Sequence, residues 1–96
     1  MTNEYDIGDL VRMSAVFMVG TVPTNPTTTT FKIKIPTGAI TTYVYGVNLQ
    51  LIKPSPGNFL VDFTPTLPGE HFYYYAGTGA CQAVEEASFF VKESEF

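Results

Sequence analysis

Hydrophobic and polar residues alternate along this chain with a period of two rather than 3.6, the pattern of strands whose side chains point to opposite faces in turn. Residues 10–19, LVRMSAVFMV, place Val11, Met13, Ala15, Phe17 and Val19 on one face, with Arg12 and Ser14 on the other. Residues 29–35, TTFKIKI, alternate more sharply: Phe31, Ile33 and Ile35 point one way, Lys32 and Lys34 the other, so the solvent face of this strand is basic. PTG at 36–38 is a turn, because proline presets its own φ and glycine supplies a positive one. AITTYVYG follows, rich in β-branched and aromatic residues, and the two runs make a hairpin. VNLQLIK at 47–53 predicts a further short strand or a continuation, ended by PSPG. NFLVDFT at 58–64 sets Phe59, Val61 and Phe63 against Leu60, Asp62 and Thr64, and in EEASFFVKE at the end Ala87, Phe89 and Val91 share a face.

No segment sustains a helical period, and seven prolines and eight glycines break the chain at short intervals. Six to eight short strands with regular turn signals predict an all-β sandwich or small barrel. The threonine- and proline-rich stretch TVPTNPTTTT at 21–30 reads as a surface connection.

GEHFYYYAGTG at 69–79 is the segment whose register matters most. In immunoglobulin-type sandwiches a glycine-containing loop leads into the penultimate strand, where a tyrosine near the start and the residue two later face the core. That spacing turns His71, Tyr73 and Tyr75 inward, with His71 at the corner, and leaves Phe72, Tyr74 and Ala76 outside. The competing register buries Phe72 and Tyr74 instead, and a slip of one residue exchanges the two sets. The first register is preferred.

A chain of 96 residues makes one domain with no room for a second core. It is 45% hydrophobic and only 15% charged, so part of its surface is expected to want a partner. A net charge of -4 with scattered acids argues against a phosphate-tracking patch, and no nucleic acid ligand is expected. The start, MTNEYDIGDLV, lacks the basic and apolar regions of a leader, and no apolar run approaches the roughly 20 residues that span a bilayer, so no membrane partner is expected either.

Candidate chemistry is sparse. His71 is the only histidine, so a metal site would need carboxylates to complete it; a core or corner histidine bonded to backbone is the expected role. Cys81 is the only cysteine, which excludes an intrachain disulfide, and it has no basic neighbour to activate it. Glu85 and Glu86 are adjacent, so a strand sends them to opposite faces, as solvated edge charges. GTG at 77–79 precedes no helix and no lysine and is a hairpin tip rather than a phosphate loop. No catalytic, cofactor-binding or metal residues are assigned. Aromatic rings left on a sheet's outer face serve protein contacts, and Phe72, Tyr74 and the closing Phe96 are the candidates.

The stretches YDIGDLVRMSAVF, TTTTFKIKIPTGAITTYVYG, GNFLVDFTPTLPGEHFYYYAGTG and QAVEEASFFVK together cover most of the chain. In them it resembles the small immunoglobulin-like β-sandwich proteins from the structural gene clusters of tailed bacteriophages and prophages. One departure is His71 where that group has tryptophan or tyrosine, and tryptophan is absent throughout. The resemblance implies an antiparallel immunoglobulin-like or fibronectin III-like β-sandwich of about seven strands over residues 1–96, with short polar arms at about 1–6 and 92–96. It implies a non-enzymatic virion protein made in the host bacterial cytoplasm, an accessory of the head (capsid decoration) or of the head-to-tail region. Its partners would be major capsid, connector or tail proteins, contacted by multiple copies per particle, with the polar arms able to add a strand to a partner's sheet edge. No cofactor is implied. The alternative expectation is a carbohydrate- or host-surface-binding module on a tail or fibre, using the exposed rings as platforms.

Overall fold

The computed structural model describes residues 3–93. Among these residues every regular element is a strand: β1 (Asn3–Asp6), β2 (Val11–Val16), β3 (Met18–Val19), β4 (Val22–Pro23), β5 (Thr28–Lys34), β6 (Ile40–Val44), β7 (Ile52–Ser55), β8 (Asn58–Phe63), β9 (Gly69–Thr78) and β10 (Ala83–Lys92). They form a β-sandwich with a five-stranded sheet in the order β1-β10-β9-β5-β6, a three-stranded sheet β2-β8-β7 and a small β3-β4 ribbon. All pairings are antiparallel except β1 with β10. With β2, β8 and β7 on one side and β10, β9, β5 and β6 on the other, the strand order is that of an immunoglobulin sandwich, B-E-D against G-F-C-C′. Ten strands stand where about seven are expected, and the excess is short: β1 has four residues, β3 and β4 two each.

β1 is the element the sequence hides. Residues 3–6, expected as part of a polar arm, pair with 89–92 and cover the outer side of the last four residues of β10, and Lys92 itself closes β10. One ring makes the difference: Tyr5 packs edge-on against Phe89 at 5.6 Å between centroids, and Asp6 meets Lys92 at 3.6 Å. Two further expectations shift. The inward set of β2 ends at Phe17, not Val19, which is 53% exposed, because the Phe17 amide donates to the Gly57 carbonyl and the chain then turns into the β3-β4 ribbon. The strand expected within 47–53 lies later, at β7, and contains Pro54; an outer strand tolerates a residue without an amide hydrogen. Residues 44–48 instead turn, with the Val47 and Asn48 amides donating to the Val44 carbonyl and the Asn48 side chain accepting from the Val44 amide at 2.9 Å. The 21–30 connection is also more structured than a bare loop, since β4 and the start of β5 fall within it.

The core lies between the inner faces: Val11, Met13, Ala15, Phe59 and Val61 from the smaller sheet, Phe31, Ile33, His71, Tyr75, Phe89 and Val91 from the larger, with Phe17, Leu51 and Cys81 closing it. His71 and Tyr75 are buried, Tyr73 is half-buried and Phe72 is 49% exposed, so the preferred register of this segment is the one adopted. Tyr75 is fully buried, with Phe31, Tyr73 and Phe17 around it at 4.9, 6.4 and 6.5 Å. Its hydroxyl donates to the Met13 carbonyl at 2.6 Å, tying β9 to β2, the strand pair that a disulfide joins in antibody domains. Burial above all pushes the Tyr75 hydroxyl's pKa up, with the neighbouring Tyr73 and Glu85 adding to it. On the outer face of the smaller sheet Arg12 makes two bonds to Asp62, at 2.9 and 3.1 Å, which hold that carboxyl below its ordinary range.

Gly57 is confined from two directions. It has φ +75°, and a Cβ there would lie 2.6 Å from the Phe17 carbonyl oxygen and 2.7 Å from the Thr24 nitrogen, both backbone atoms. Gly57→Ala therefore pays for a left-handed alanine and for displacing the β2-to-β3 bend, and is expected to lose at least about 2 kcal/mol in urea unfolding.

Tyr75→Phe leaves the packing and removes the hydroxyl, so it is expected to cost about 1–2 kcal/mol at neutral pH. The pH dependence has a definite sign. The unfolded chain ionises this tyrosine near its ordinary pKa of 10.0 while the fold holds the proton, so the contribution is complete below that pH and is lost as pH rises above it. Urea unfolding at pH 7 and in the range above about 10 checks both points: the phenylalanine variant is expected to lose less stability on alkalinisation than the parent.

Candidate functional site

The register that buries His71 and Tyr75 sends Phe72 and Tyr74 to the outer face of the five-stranded sheet. Strand pairing then fixes their neighbours. Lys34 and Ser88 flank Phe72, Lys32 and Glu86 flank Tyr74, and Thr30 and Val84 flank Ala76. β6 extends the first row with Ile40, opposite Lys34, and β1 brings Glu4 opposite Phe90. The result is a ringed, apolar surface with lysines along β5 and an acid on β10.

A shallow depression of about 390 Å³ opens on this surface, with Lys32, Lys34, Ile40, Phe72, Tyr74 and Glu86 in its lining. Ile40 is 61% exposed and Val84 64%, so the apolar area exceeds the two predicted rings. The Lys32 ammonium sits over the Tyr74 ring, 5.7 Å from its centroid, which orients the lysine stem across the face. The ion pairs among the described residues are Arg12 with Asp62 and Lys92 with Asp6, so Lys32, Lys34 and Glu86 keep their charge for solvent or for a partner.

Of the three residues predicted to make contacts, Phe72 and Tyr74 lie side by side on this face, and Phe96 lies outside the described residues. The alternation in residues 29–35 marked Lys32 and Lys34 as a basic face, but only the pairing of β5 with β9 places them beside the rings. Glu86, expected as a solvated edge charge, is exposed on the part of β10 that precedes the 89–92 stretch paired with β1, and only strand pairing sets it beside Tyr74. Ile40, Val84 and Phe90 carry no local signal at all.

The residues with chemical potential are held elsewhere, in structural roles. His71 is 1% exposed, stacks on Phe89 at 4.9 Å and 12°, and its Nδ1 lies 3.1 Å from the Gly69 carbonyl, which requires the Nδ1–H tautomer for a bond. This is a corner histidine. A second cleft, of about 190 Å³, lies beside it between the sheets, lined by Ile33, Ile35, Tyr43, Phe63 and Leu67 among others. Cys81 is buried with its thiol directed to the Met18 carbonyl at 3.4 Å. Glu85 and Glu86 take opposite faces, beside Tyr75 and Tyr74. GTG belongs to the β9–β10 tip, where the Thr27 hydroxyl accepts from the Ala80 amide. Among the described residues no group of three histidine, cysteine or acidic side chains converges, and no helix is long and apolar enough to cross a membrane.

Searches of protein-family models, curated proteins and solved structures find no match to this chain.

Core and face residues are separable by mutation. His71→Ala removes a stacked, hydrogen-bonded ring and is expected to cost about 3 kcal/mol, whereas Phe72→Ser on the same strand is expected to change unfolding free energy by no more than about 0.5 kcal/mol. Parallel denaturation curves check the contrast.

Proposed function

We propose that this protein is a non-enzymatic structural component of a tailed-phage particle, an accessory of the head or head-to-tail region that acts through protein contacts. One observation carries the contact role: the fold leaves Phe72, Ile40 and Val84 exposed and Tyr74 half-buried on a single sheet face, bordered by charges with no ion-pair partner among the described residues. An apolar patch with a charged border is the usual composition of a protein-binding surface. The phage context comes from the sequence resemblance described above, which spans most of the chain. Weak contacts by a face of this size suit a component present in many copies, because a repeating lattice multiplies them.

The test is quantitative mass spectrometry of purified particles from a lysate carrying the gene. Hundreds of copies per portal are expected for a capsid decoration, and about six to twelve for a ring at the neck. Particles carrying Phe72→Ser are expected to lose the protein although it folds. Absence of the protein from particles, together with glycan binding by the isolated domain, would overturn this reading in favour of a surface-recognition module.

A further inference from the structure

The outer face is close to self-complementary. Its central row runs Lys32, Tyr74, Glu86 across three neighbouring strands: a cation, a ring and an anion. The ring sits on β9, at the middle, with one charge about 4.8 Å to either side in strand spacing.

Two sheet faces laid together with their strands aligned can be related by a twofold axis in two ways. An axis across the strands sets β5 on β5, bringing Lys32 and Lys34 against the same lysines of the other copy. An axis along β9 instead exchanges the two flanks: β5 faces β10, Lys32 meets Glu86 of the second copy, and Glu86 meets its Lys32. Under that same axis Tyr74 lies on Tyr74, Phe72 on Phe72, Lys34 faces Ser88, the exposed Val84 faces Thr30, and Glu70 at the start of β9 meets Glu70, one like-charge contact at the end of the face against two opposite-charge pairs at its centre. Repulsion rejects the first arrangement, and charge complementarity with ring packing selects the second.

We propose that this face pairs with the same face of a second copy about a twofold axis along β9, with reciprocal Lys32–Glu86 ion pairs flanking a Phe72 and Tyr74 core. The two ion pairs come from one pair of residues, as an isologous interface requires. The sheet offers roughly 600 Å² of projected area, below the roughly 800 Å² that each partner contributes to a standard interface, so the dimer is a weak one. The proposal rests on the outer face being a protein-contact surface, and does not rest on the phage context.

Charge reversal tests it in the purified protein. Sedimentation equilibrium from about 10 µM to about 1 mM is expected to show a monomer–dimer equilibrium for the parent chain. Lys32→Glu alone and Glu86→Lys alone each juxtapose like charges twice and are expected to weaken the dimer at least tenfold, about one decade for such pairs. The chain carrying both changes restores the pairing with the signs exchanged, and is expected to dimerise within about threefold of the parent. Both positions are on the surface, so thermal melts of all four proteins should agree and exclude misfolding as the cause. A parent chain that stays monomeric to about 1 mM overturns the proposal, as does a dimer that the double change fails to restore. If self-pairing fails while Phe72→Ser still removes the protein from particles, the self-pairing alone is wrong and the contact role stands.

Discussion

The hydrogen bond from the buried Tyr75 hydroxyl to the Met13 carbonyl is the constraint on which the remaining structure turns. This sandwich has no disulfide and no tryptophan, the two features that pin the sheets of an antibody domain. A phenol reaching from β9 to β2 takes over part of that role. It fixes the depth of β9 in the core, and it leaves the polar end of the largest buried side chain with a partner in a region where an unpaired hydroxyl would be costly. Phe31 and Phe17 close around the ring, so packing and hydrogen bond specify one position.

That position has a consequence on the other side of the sheet. Side chains alternate along a strand, so with His71 and Tyr75 inward, Phe72 and Tyr74 can only face out. The exposed face with its two rings is therefore a by-product of how the core is locked, and the same residues could not form it in the alternative register. His71 supports the choice from the corner, where its stack on Phe89 and its bond to the Gly69 carbonyl satisfy a polar ring that the apolar neighbours could not.

Much of this was legible in the sequence because it is local. Period-two alternation located β2, β5, β8, β9 and β10 and their inward residues, and the PTG hairpin followed from its turn chemistry. What escaped depends on partners distant in the chain. β1 reads as a polar arm until Phe89 is placed beside Tyr5, and residues 47–53 read as a strand until Asn48 is seen capping a turn. The candidate site divides in the same way. Its two rings follow from alternation within 71–76, whereas Lys32, Glu86 and Ile40 join them only through sheet order, which pairs residues up to 54 positions apart in the row from Lys32 to Glu86.

Sheet order also bears on how such a protein associates. An open strand edge invites pairing with another chain, and three of the four outer strands here are poor templates for it. β1 has four residues and carries Glu4 and Asp6; β7 also has four and contains Pro54; β6 has five and runs straight into the turn capped by Asn48. The N-terminal segment that could have added a strand to a partner is paired with its own β10. Beside these three short edges, the broad surface across β10, β9 and β5 offers an exposed area of a different kind, made of side chains. Association through side chains on a sheet face can be tuned one residue at a time, whereas edge pairing relies on backbone groups common to all sequences. The charged and aromatic row on β5, β9 and β10 is side-chain chemistry particular to this face, of the kind a backbone edge lacks.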